Sequence, residues 1–535
     1  MKKLFCIPLL SLLACSSAAA TDNGRSEGAV GLVYRVDAGR TYQTMHSFGA
    51  SDAWRAQYVG MNWPEEKKNQ IADWLFSMET DEAGNPRGIG LSMWRFNIGS
   101  GSYEQGEASG ITNTWTRVEC FLSPDGSYDF TKQAGQQWFL EAARERGVEN
   151  FLAFTIAPPW FMSLNGKTIS QGKGGMNIRP DQYDDYARFL VTVMKHFADE
   201  KNIRFGYVSP VNEPQWDWNT PRQEGTYANN EDCYKLIREL NDEISRQGLD
   251  TKIVFGEAGA IKYLYGIDPN VPDTDNQICE FFSDKGAYPI LGMENVLPCV
   301  SGHSYWSTWP VDNMIDERRQ LKECIDRMSP GLSYWQTEYC VMENNAETKG
   351  GGAGRDLGMD IALYVARIIH YDITVAQAAS WQWWTALSPY DYKDGLIYLD
   401  DGTSNGIGSG NAGLDASLKQ DGVARTSKLM WALGNFSRFV RPGMTRVDIA
   451  SATGVIDPNL LLSAYEGDGQ NVVVIINLGT QERTIGLESK AEEYRIYETS
   501  ETADLACRGN ADKKGIRIPA RSVITLVAGP DRQSG

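Results

Sequence analysis

The sequence predicts an α/β protein in which a (β/α)8 TIM barrel carries an appended β-sandwich. From about Thr44 to Trp431, short apolar segments alternate with longer amphipathic ones. After Pro442, only short apolar segments separated by Gly, Asn or Asp turns remain. At 535 residues the chain is also too long for one compact core, so two domains are expected.

Eight segments of the first region are predicted strands, because each is short, apolar and ends in small or polar residues. They begin at Met45 (MHSFGASD), Leu91 (LSMWRFNIG), Glu149 (ENFLAFTIAPP), Phe205 (FGYVSPVNEP), Thr251 (TKIVFGEAG), Cys299 (CVSGHSY), Leu332 (LSYWQTEY) and Gln377 (QAASWQWW). Between them, apolar residues recur at helical spacing, as in the segments from Asp181, Cys233 and Asp356. This alternation indicates a closed barrel over residues 44–438.

The sandwich is predicted over residues 439–530. Its strands begin at Asp457 (DPNLLLSAYEG), Gln470 (QNVVVIINLG), Glu482 (ERTIGLES), Glu493 (EYRIYETS) and Arg521 (RSVITLVAG). One or two strands are missing from this set, and the segment 28–43, which contains GAVGLVYRVDA, supplies one. The side domain is then built from both ends of the chain and packs rigidly beside the barrel.

Residues 1–20 have the pattern of an export signal: Lys2 and Lys3, an apolar run, and then small residues. The run ends in Leu12-Leu13-Ala14-Cys15, which resembles a bacterial lipobox and would make Cys15 a lipidated N-terminus. Ala18-Ala19-Ala20 would instead suit an ordinary secretory peptidase. Either site takes the protein out of the cytoplasm, to the outer membrane or cell surface as a lipoprotein, or to the periplasm or medium.

Composition narrows the function classes. The net charge of −18 and the lack of a long basic run argue against nucleic-acid binding. Four histidines without an H-E-x-x-H motif argue against a metal hydrolase, and we expect no cofactor. The 16 tryptophans and 24 tyrosines suit an amphipathic ligand such as a sugar, although most such rings pack in cores.

The chemistry of a (β/α)8 barrel lies at the carboxyl ends of its strands. The carboxylates at predicted strand ends are Asp52, Glu213, Glu257 and Glu338. Glu213 stands in an Asn-Glu-Pro triplet, and the proline should restrict it to an extended backbone. Glu338 follows an apolar strand with little other charge. These two side chains would face each other across the barrel mouth.

Two opposed carboxyl groups suit the hydrolysis of a glycosidic bond, in which one protonates the leaving oxygen and the other attacks or activates water. The alternative is that both are salt-bridged surface residues. Their aromatic surroundings and shared position at strand ends favour catalysis.

The same motifs resemble glycoside hydrolase family 30. The resemblance is carried by NEP at strand four, TEY at strand seven, FGAS near strand one, APPWFM after strand three, and GNFSRFVRPG from Gly434. It implies that Glu213 is the acid/base and Glu338 the nucleophile, with retention of configuration and a carboxyl separation of about 5–5.5 Å. Asn212 would bind the 2-hydroxyl.

Further residues are candidates for substrate binding. Tyr305 could bond the nucleophile, as a strand-six aromatic commonly does in this clan. His303 either contacts substrate or is a satisfied core residue, and Arg95 either fixes the charge of the nucleophile or forms a structural ion pair. The remaining candidates would contact sugar rings or hydroxyls, with packing as the alternative for each tryptophan: Trp54, Trp160, Trp384, Glu257 and Asp52.

The sequence thus predicts an exported, monomeric retaining hydrolase of a β-linked polysaccharide or oligosaccharide, anchored through a lipid. Within the family, the tryptophan-rich loops and FGASDAW look most like an endo-β-1,6-galactanase. The alternatives are a β-1,6-glucanase, a xylanase, an exo-β-glycosidase such as a β-fucosidase, β-xylosidase or β-galactosidase, and a non-catalytic surface glycan-binding protein.

Overall fold

The computed structural model describes residues 31–403 and 412–530. Its strands are β1 (Leu32–Thr44), β2 (Ser47–Ser51), β3 (Met93–Asn97), β4 (Asn150–Phe154), β5 (Tyr207–Ser209), β6 (Lys252–Ala258), β7 (Val296–His303), β8 (Ser333–Glu338), β9 (Ala378–Trp383), β10 (Thr385–Ser388), β11 (Gly395–Asp400), β12 (Val423–Thr426), β13 (Thr445–Ser451), β14 (Leu460–Gly467), β15 (Gln470–Asn477), β16 (Arg483–Glu488), β17 (Glu493–Ser500), β18 (Ala503–Asp512), β19 (Ile516–Ile518) and β20 (Ser522–Ala528).

Its α-helices are α1 (Ala56–Asn62), α2 (Glu65–Phe76), α3 (Ser102–Gln105), α4 (Ala134–Glu145), α5 (Tyr183–Lys201), α6 (Asn230–Gln247), α7 (Lys262–Tyr265), α8 (Gln277–Phe282), α9 (Val311–Met328), α10 (Met359–Thr374), α11 (Ala412–Leu418) and α12 (Lys428–Ser437). Single 3₁₀ turns lie at Gly106–Ser109 and Trp160–Met162.

The barrel is formed by β2 to β9, which are parallel and neighbour each other in chain order. The ring closes where β9 pairs with β2, with Ser380 opposite Ser47. This confirms the predicted (β/α)8 fold class. It also brings the carboxyl ends of all eight strands to one rim.

Helix α6 illustrates how the sequence forms the outer layer. The side chain of Asn229 caps it by accepting the N–H of Asp232 at 2.8 Å, and Gly248 ends it with a φ of +67°. Its buried apolar residues recur every three or four positions: Cys233, Leu236, Ile237, Leu240 and Ile244. Each buried Leu or Ile contributes about 1.5–3 kcal/mol to stability.

A small sheet of β10, β11 and β12 stands at the rim where the eighth barrel strand ends, and the sequence analysis did not predict it. The sheet is tied to the barrel by the indole of Trp383, which donates to the carbonyl of Asp394 at 2.7 Å. The fourth barrel strand is also shorter than expected, because β5 covers only Tyr207–Ser209. Glu213 therefore lies in a loop, four residues beyond the strand.

The side domain is a nine-stranded, mostly antiparallel sheet in the order β18-β17-β20-β15-β14-β13-β1-β16-β19. Residues near both ends of this order, such as Ile485 of β16 and Ile496 of β17, share one hydrophobic core, so the sheet folds over itself as a sandwich. β1 pairs with β13 and β16, as the prediction of an N-terminal strand required. The prediction missed β13, β18 and β19.

The barrel and the side domain share a packed interface around α12. The amide of Asn435 donates to the hydroxyl of Thr525 at 3.0 Å, and that hydroxyl donates back to the carbonyl of Asn435 at 2.6 Å. The rings of Phe439 and Tyr497 pack with centroids 4.4 Å apart. The seven cysteines of the described ranges are free, and none of the helices in those ranges is long and apolar enough to cross a bilayer.

Candidate active site

Five charged or ionisable side chains meet at the rim of the barrel. They come from five different strands or the loops that follow them: Arg95 of β3, Glu213 after β5, Glu257 of β6, His303 of β7 and Glu338 of β8. Contacts between them are short, and we call this set the rim cluster. All five were named from the sequence, which also predicted that Glu213 faces Glu338, but the contacts of His303 and Glu257 within the cluster were not predicted.

Glu338 ends β8 and is held by two donors. One oxygen, Oε2, accepts from Nη1 of Arg95 at 3.0 Å, and the other, Oε1, accepts from the hydroxyl of Tyr305 at 3.0 Å. Arg95 is fully buried, with its guanidinium 4.2 Å from the centroid of the Phe154 ring. The carboxylate is therefore fixed in position by a cation on one side and a phenol on the other.

Glu213 has a backbone that the sequence analysis did not anticipate. Its φ is +46°, in the left-handed region, and not the extended conformation expected before Pro214. Its Oε1 lies 2.9 Å from Nδ1 of His303. The pKa of Glu213 is raised, first by burial and then by the negative charges of Glu338 and Glu257, against the opposing effect of His303.

Glu257 reaches the cluster through a bulge in β6. The pairing of β6 with β7 shifts register on either side of Phe255, and Gly256 has a φ of +132°. A side chain at Gly256 would also place Cβ 2.2 Å from the carbonyl oxygen of Ser301, so only glycine fits. The bulge leaves Glu257, itself at a φ of +43°, fully buried, with Oε2 3.1 Å from Nη2 of Arg95.

His303 lies between the carboxyl groups. Its Nε2 is 3.1 Å from Oε2 of Glu257, and its Nδ1 is 2.9 Å from Glu213 and 3.7 Å from Glu338. Burial favours the neutral ring, but Glu338 and the hydrogen bonds to Glu213 and Glu257 outweigh it and raise the pKa of His303 to about 10. The ring is therefore a cation at neutral pH, and both nitrogens donate.

The rim cluster contains three carboxyl groups and two cations, Arg95 and His303. It is neutral only when one carboxyl group carries a proton. The two cations lower the pKa of Glu257 despite its burial, whereas the pKa of Glu213 is raised. Of these two carboxyl groups, Glu213 is therefore the one whose surroundings favour the protonated form, as a general acid requires.

Exposure within the cluster is also uneven. Arg95, Glu257 and His303 are 0% exposed, while Glu213 is 7% and Glu338 4% exposed. An oxygen of Glu213 and one of Glu338 lie within 4.8 Å of each other. This separation suits direct attack on an anomeric carbon better than the wider spacing of inverting enzymes, about 6.5–9.5 Å.

Glu213, His303 and Glu338 also have a spacing that could hold a metal ion. Both ring nitrogens of His303 are instead hydrogen-bonded to carboxylate oxygens, Nδ1 to Glu213 at 2.9 Å and Nε2 to Glu257 at 3.1 Å, so these groups satisfy one another.

Asn212 precedes Glu213 and is 2% exposed. Its side-chain oxygen has no hydrogen-bond partner among the described residues. A buried unpaired carbonyl oxygen is costly, and this one is shielded from solvent. The contact of Asn212 with a substrate hydroxyl therefore stays a prediction.

Asp52 and Glu257 differ from the expectation that they bind sugar hydroxyls. Asp52 is buried, with Oδ1 accepting the N–H of Asn97 at 3.0 Å and Oδ2 accepting from Gln136 at 2.9 Å. Burial raises its pKa to about 7. Both carboxyl groups therefore support the site from beneath. His303 and Arg95 likewise contact carboxylates and are inaccessible to a ligand.

The three tryptophans predicted as sugar platforms also differ in exposure. Trp54 is 2% exposed and packs edge-on against Trp384, with ring centroids 5.5 Å apart, and its indole donates to Asn97. Trp384 is 9% exposed and Trp160 is partly exposed, and sugar contact by these two rings stays a prediction. Trp306 and Trp309, which follow Tyr305 at the rim and are 54% and 38% exposed, were not predicted.

The comparisons with known proteins agree with this geometry. A family model described as O-glycosyl hydrolase family 30 matches residues 32–398. Among curated proteins, the endo-β-1,6-galactanase of Hypocrea rufa is 23% identical over 82% of this chain and 80% of its own length. Glucuronoxylanase XynC of Bacillus subtilis is 22% identical over 73% of this chain and 77% of its own.

Among solved structures, a conserved exported protein from Bacteroides fragilis is 41% identical, with a TM-score of 0.87, over 93% of this chain and 100% of its own. The family model alone covers more than half of the sequence. The chain therefore belongs to O-glycosyl hydrolase family 30, whose members are retaining glycoside hydrolases.

Proposed function

We propose that the chain is an endo-acting β-1,6-galactanase in which Glu213 is the acid/base and Glu338 the nucleophile. The observation that carries the catalytic assignment is the rim cluster, in which these two carboxyl groups alone combine mutual proximity with exposure. The galactan specificity is supported by the fungal endo-β-1,6-galactanase, which aligns over 82% of the chain.

In the first step, an oxygen of Glu338 attacks the anomeric carbon while Glu213 gives its proton to the glycosidic oxygen. The bond from the anomeric carbon to that oxygen breaks, and a glycosyl ester forms on Glu338. Tyr305 and Arg95 hold the attacking carboxylate in place. Asn212, which precedes Glu213, is the residue expected to contact the hydroxyl next to the anomeric carbon.

Charge balance explains why the same Glu213 then acts as a base. Once Glu338 is an ester it has lost its charge, and Glu257 is left with the two cations Arg95 and His303. Neutrality now requires Glu213 to be ionised. It can take a proton from water, which attacks the anomeric carbon, releases Glu338 and gives net retention.

The substrate is tested with a panel of linkage-defined galactans, glucans and xylans, with Glu338→Gln as the inactive control. We expect oligosaccharides of several lengths from β-1,6-galactan at early times. Early release of monosaccharide alone would indicate an exo-glycosidase, and cleavage of another polymer would reassign the specificity. Binding without cleavage by both proteins would favour the glycan-binding alternative.

We also propose that the protein is exported and anchored through a lipid on Cys15, which lies outside the described residues. The apolar run that ends in Leu12-Leu13-Ala14-Cys15 supports this. Radiolabelled fatty acid should label the wild type and Cys6→Ser but not Cys15→Ser. Labelling that persists in Cys15→Ser, or is absent from the wild type, would contradict the proposal.

A further inference from the structure

The left-handed backbone of Glu213 needs an explanation. Residues other than glycine, asparagine and aspartate seldom have a φ near +46°, and a following proline further restricts the residue before it. A conformation of this kind persists only where neighbouring groups fix it. Because the carboxyl group of Glu213 points where this backbone directs it, whatever fixes the backbone also aims the proposed acid.

Three hydrogen bonds fix it. The N–H of Glu213 donates to the carbonyl of Glu257 at 2.9 Å. The carbonyl of Glu213 accepts the backbone N–H of Trp216 at 3.2 Å and the indole Nε1–H of Trp218 at 3.0 Å. The first two join backbone groups, which most side chains would permit. The third depends on a single side chain, that of Trp218.

The ring of Trp218 packs directly against the backbone of Gly225. A Cβ at position 225 would lie 2.5 Å from Cδ2 of Trp218, so the indole rests directly on the glycine backbone. Gly225 is itself held by the loop after β4, since its N–H donates to Thr168 and its carbonyl accepts from Ser170, at 2.9 and 3.2 Å. Gly225 lies in the same loop as Glu213, and these two bonds tie that part of the loop, and the indole that packs on it, to the loop after β4.

Glu224, the residue before Gly225, helps to fix the position of Gly225. Glu224 is fully buried, and its two oxygens accept the N–H groups of Ser100 and Ser102 at 3.1 and 2.9 Å. The loop after the second barrel strand therefore also helps to place Gly225. Glu338, in contrast, is held by Arg95 and Tyr305 and makes no use of Trp218.

We propose that Trp218 is a positioning residue for the acid/base. Its ring packs on Gly225, and its indole N–H stabilises the left-handed backbone that orients the carboxyl group of Glu213. The inference rests on the proposed role of Glu213. It predicts that loss of the N–H impairs proton donation and leaves nucleophilic attack by Glu338 intact.

The test variant is Trp218→Phe, which keeps an aromatic ring on Gly225 and removes the donor. Its matched control is Trp63→Phe, because Trp63 also donates its indole N–H to a carbonyl, that of Leu418 at 2.7 Å, in the outer layer of the barrel. A second variant, Gly225→Ala, displaces the ring of Trp218, because the added Cβ would occupy its place against residue 225. Each is assayed with an unactivated alkyl glycoside and a 2,4-dinitrophenyl glycoside of the same sugar.

For Trp218→Phe we expect kcat/KM to fall about 100-fold with the alkyl glycoside, whose leaving oxygen needs a proton. With the dinitrophenyl glycoside, which leaves without one, kcat/KM should be nearly unchanged. Gly225→Ala should show the same pattern, and Trp63→Phe neither loss. Equal losses with both substrates, or no loss with either, would overturn the proposal.

A crystal structure of Trp218→Phe tests the inference without any activity. We expect φ of residue 213 to leave the left-handed region and the 2.9 Å contact from Glu213 to His303 to be lost. An unchanged φ and contact would overturn the proposal. If the wild type cleaves no glycoside, the proposed function fails, while this structure still decides whether Trp218 fixes the turn.

Discussion

Two of the buried charge clusters among the described residues differ in how their charges balance. Outside the strands, Nε of Arg318 on α9 meets Oδ1 of Asp372 on α10 at 2.7 Å, and both side chains are 0% exposed. The indole of Trp381 also donates to Asp372, at 2.8 Å. Here one cation is paired with one anion.

The rim cluster has three carboxyl groups for two cations, which leaves one carboxyl group in excess, and the two least buried of them are Glu213 and Glu338. A balanced pair contributes a fixed contact between elements. A cluster with one carboxyl group in excess retains a proton that it can donate to a substrate, and the buried excess charge lowers the stability of the fold. The difference indicates which cluster performs chemistry.

The largest expected effect comes from Glu338→Gln. It removes the nucleophile, and it also leaves the cluster balanced with Glu213 ionised, so the acid is lost as well. We expect activity to fall about 10⁴-fold or more while the melting temperature holds or rises. Glycan turnover and calorimetry measure the two quantities. Retained activity would show that Glu338 is not the nucleophile.

Glu213→Gln should show the next largest effect, and one that depends on the leaving group. Loss of the general acid should cost about 10²–10⁴-fold in kcat/KM with the glycan and far less with a dinitrophenyl glycoside. Similar losses with both substrates would assign Glu213 a structural role.

Asp372→Asn is the counterpart in the balanced cluster. It leaves the guanidinium of Arg318 buried without its anion, which should cost about 3–5 kcal/mol of unfolding free energy. Activity per folded molecule should stay near that of the wild type, as denaturant titration beside a glycan assay would show. A stable but inactive variant would make this pair part of the catalytic machinery and remove the contrast between the clusters.

The smallest effects are opposite shifts in the pH profile. Glu213 must be protonated in the first step, so kcat/KM should hold below its raised pKa and fall as pH rises through it. Glu257→Gln removes a negative neighbour, lowers this pKa and moves the alkaline limb to lower pH. His303→Asn removes a cation and moves the limb to higher pH. If both variants moved the alkaline limb in the same direction, the balance of three carboxyl groups against two cations in the rim cluster would be wrong.

Much of the fold could be predicted from the sequence, because the alternation of apolar strands and amphipathic helices is a local signal. The rule that chemistry lies at strand ends then selected four carboxylates, and the sequence context of Glu213 and Glu338 singled out these two. The small sheet of β10 to β12 was missed, since its short strands carry no periodic pattern and depend on contacts with the barrel rim.

The missed details of the site are tertiary in origin. Nothing local to Asn-Glu-Pro indicates a left-handed backbone, because the groups that fix it come from Glu257 and Trp218. The bulge at Gly256 depends on the close approach of β7. The burial of Trp54 could not be predicted from the sequence either, because composition does not show which aromatic rings pack against each other.

The most direct test of the account is to trap the covalent intermediate. A 2-deoxy-2-fluoro glycoside with a good leaving group, built on the sugar that the wild type cleaves, should inactivate the enzyme by forming a stable ester. Peptide mapping by mass spectrometry should place that ester on Glu338. An ester on Glu257 or any other residue would contradict the assignment of the nucleophile.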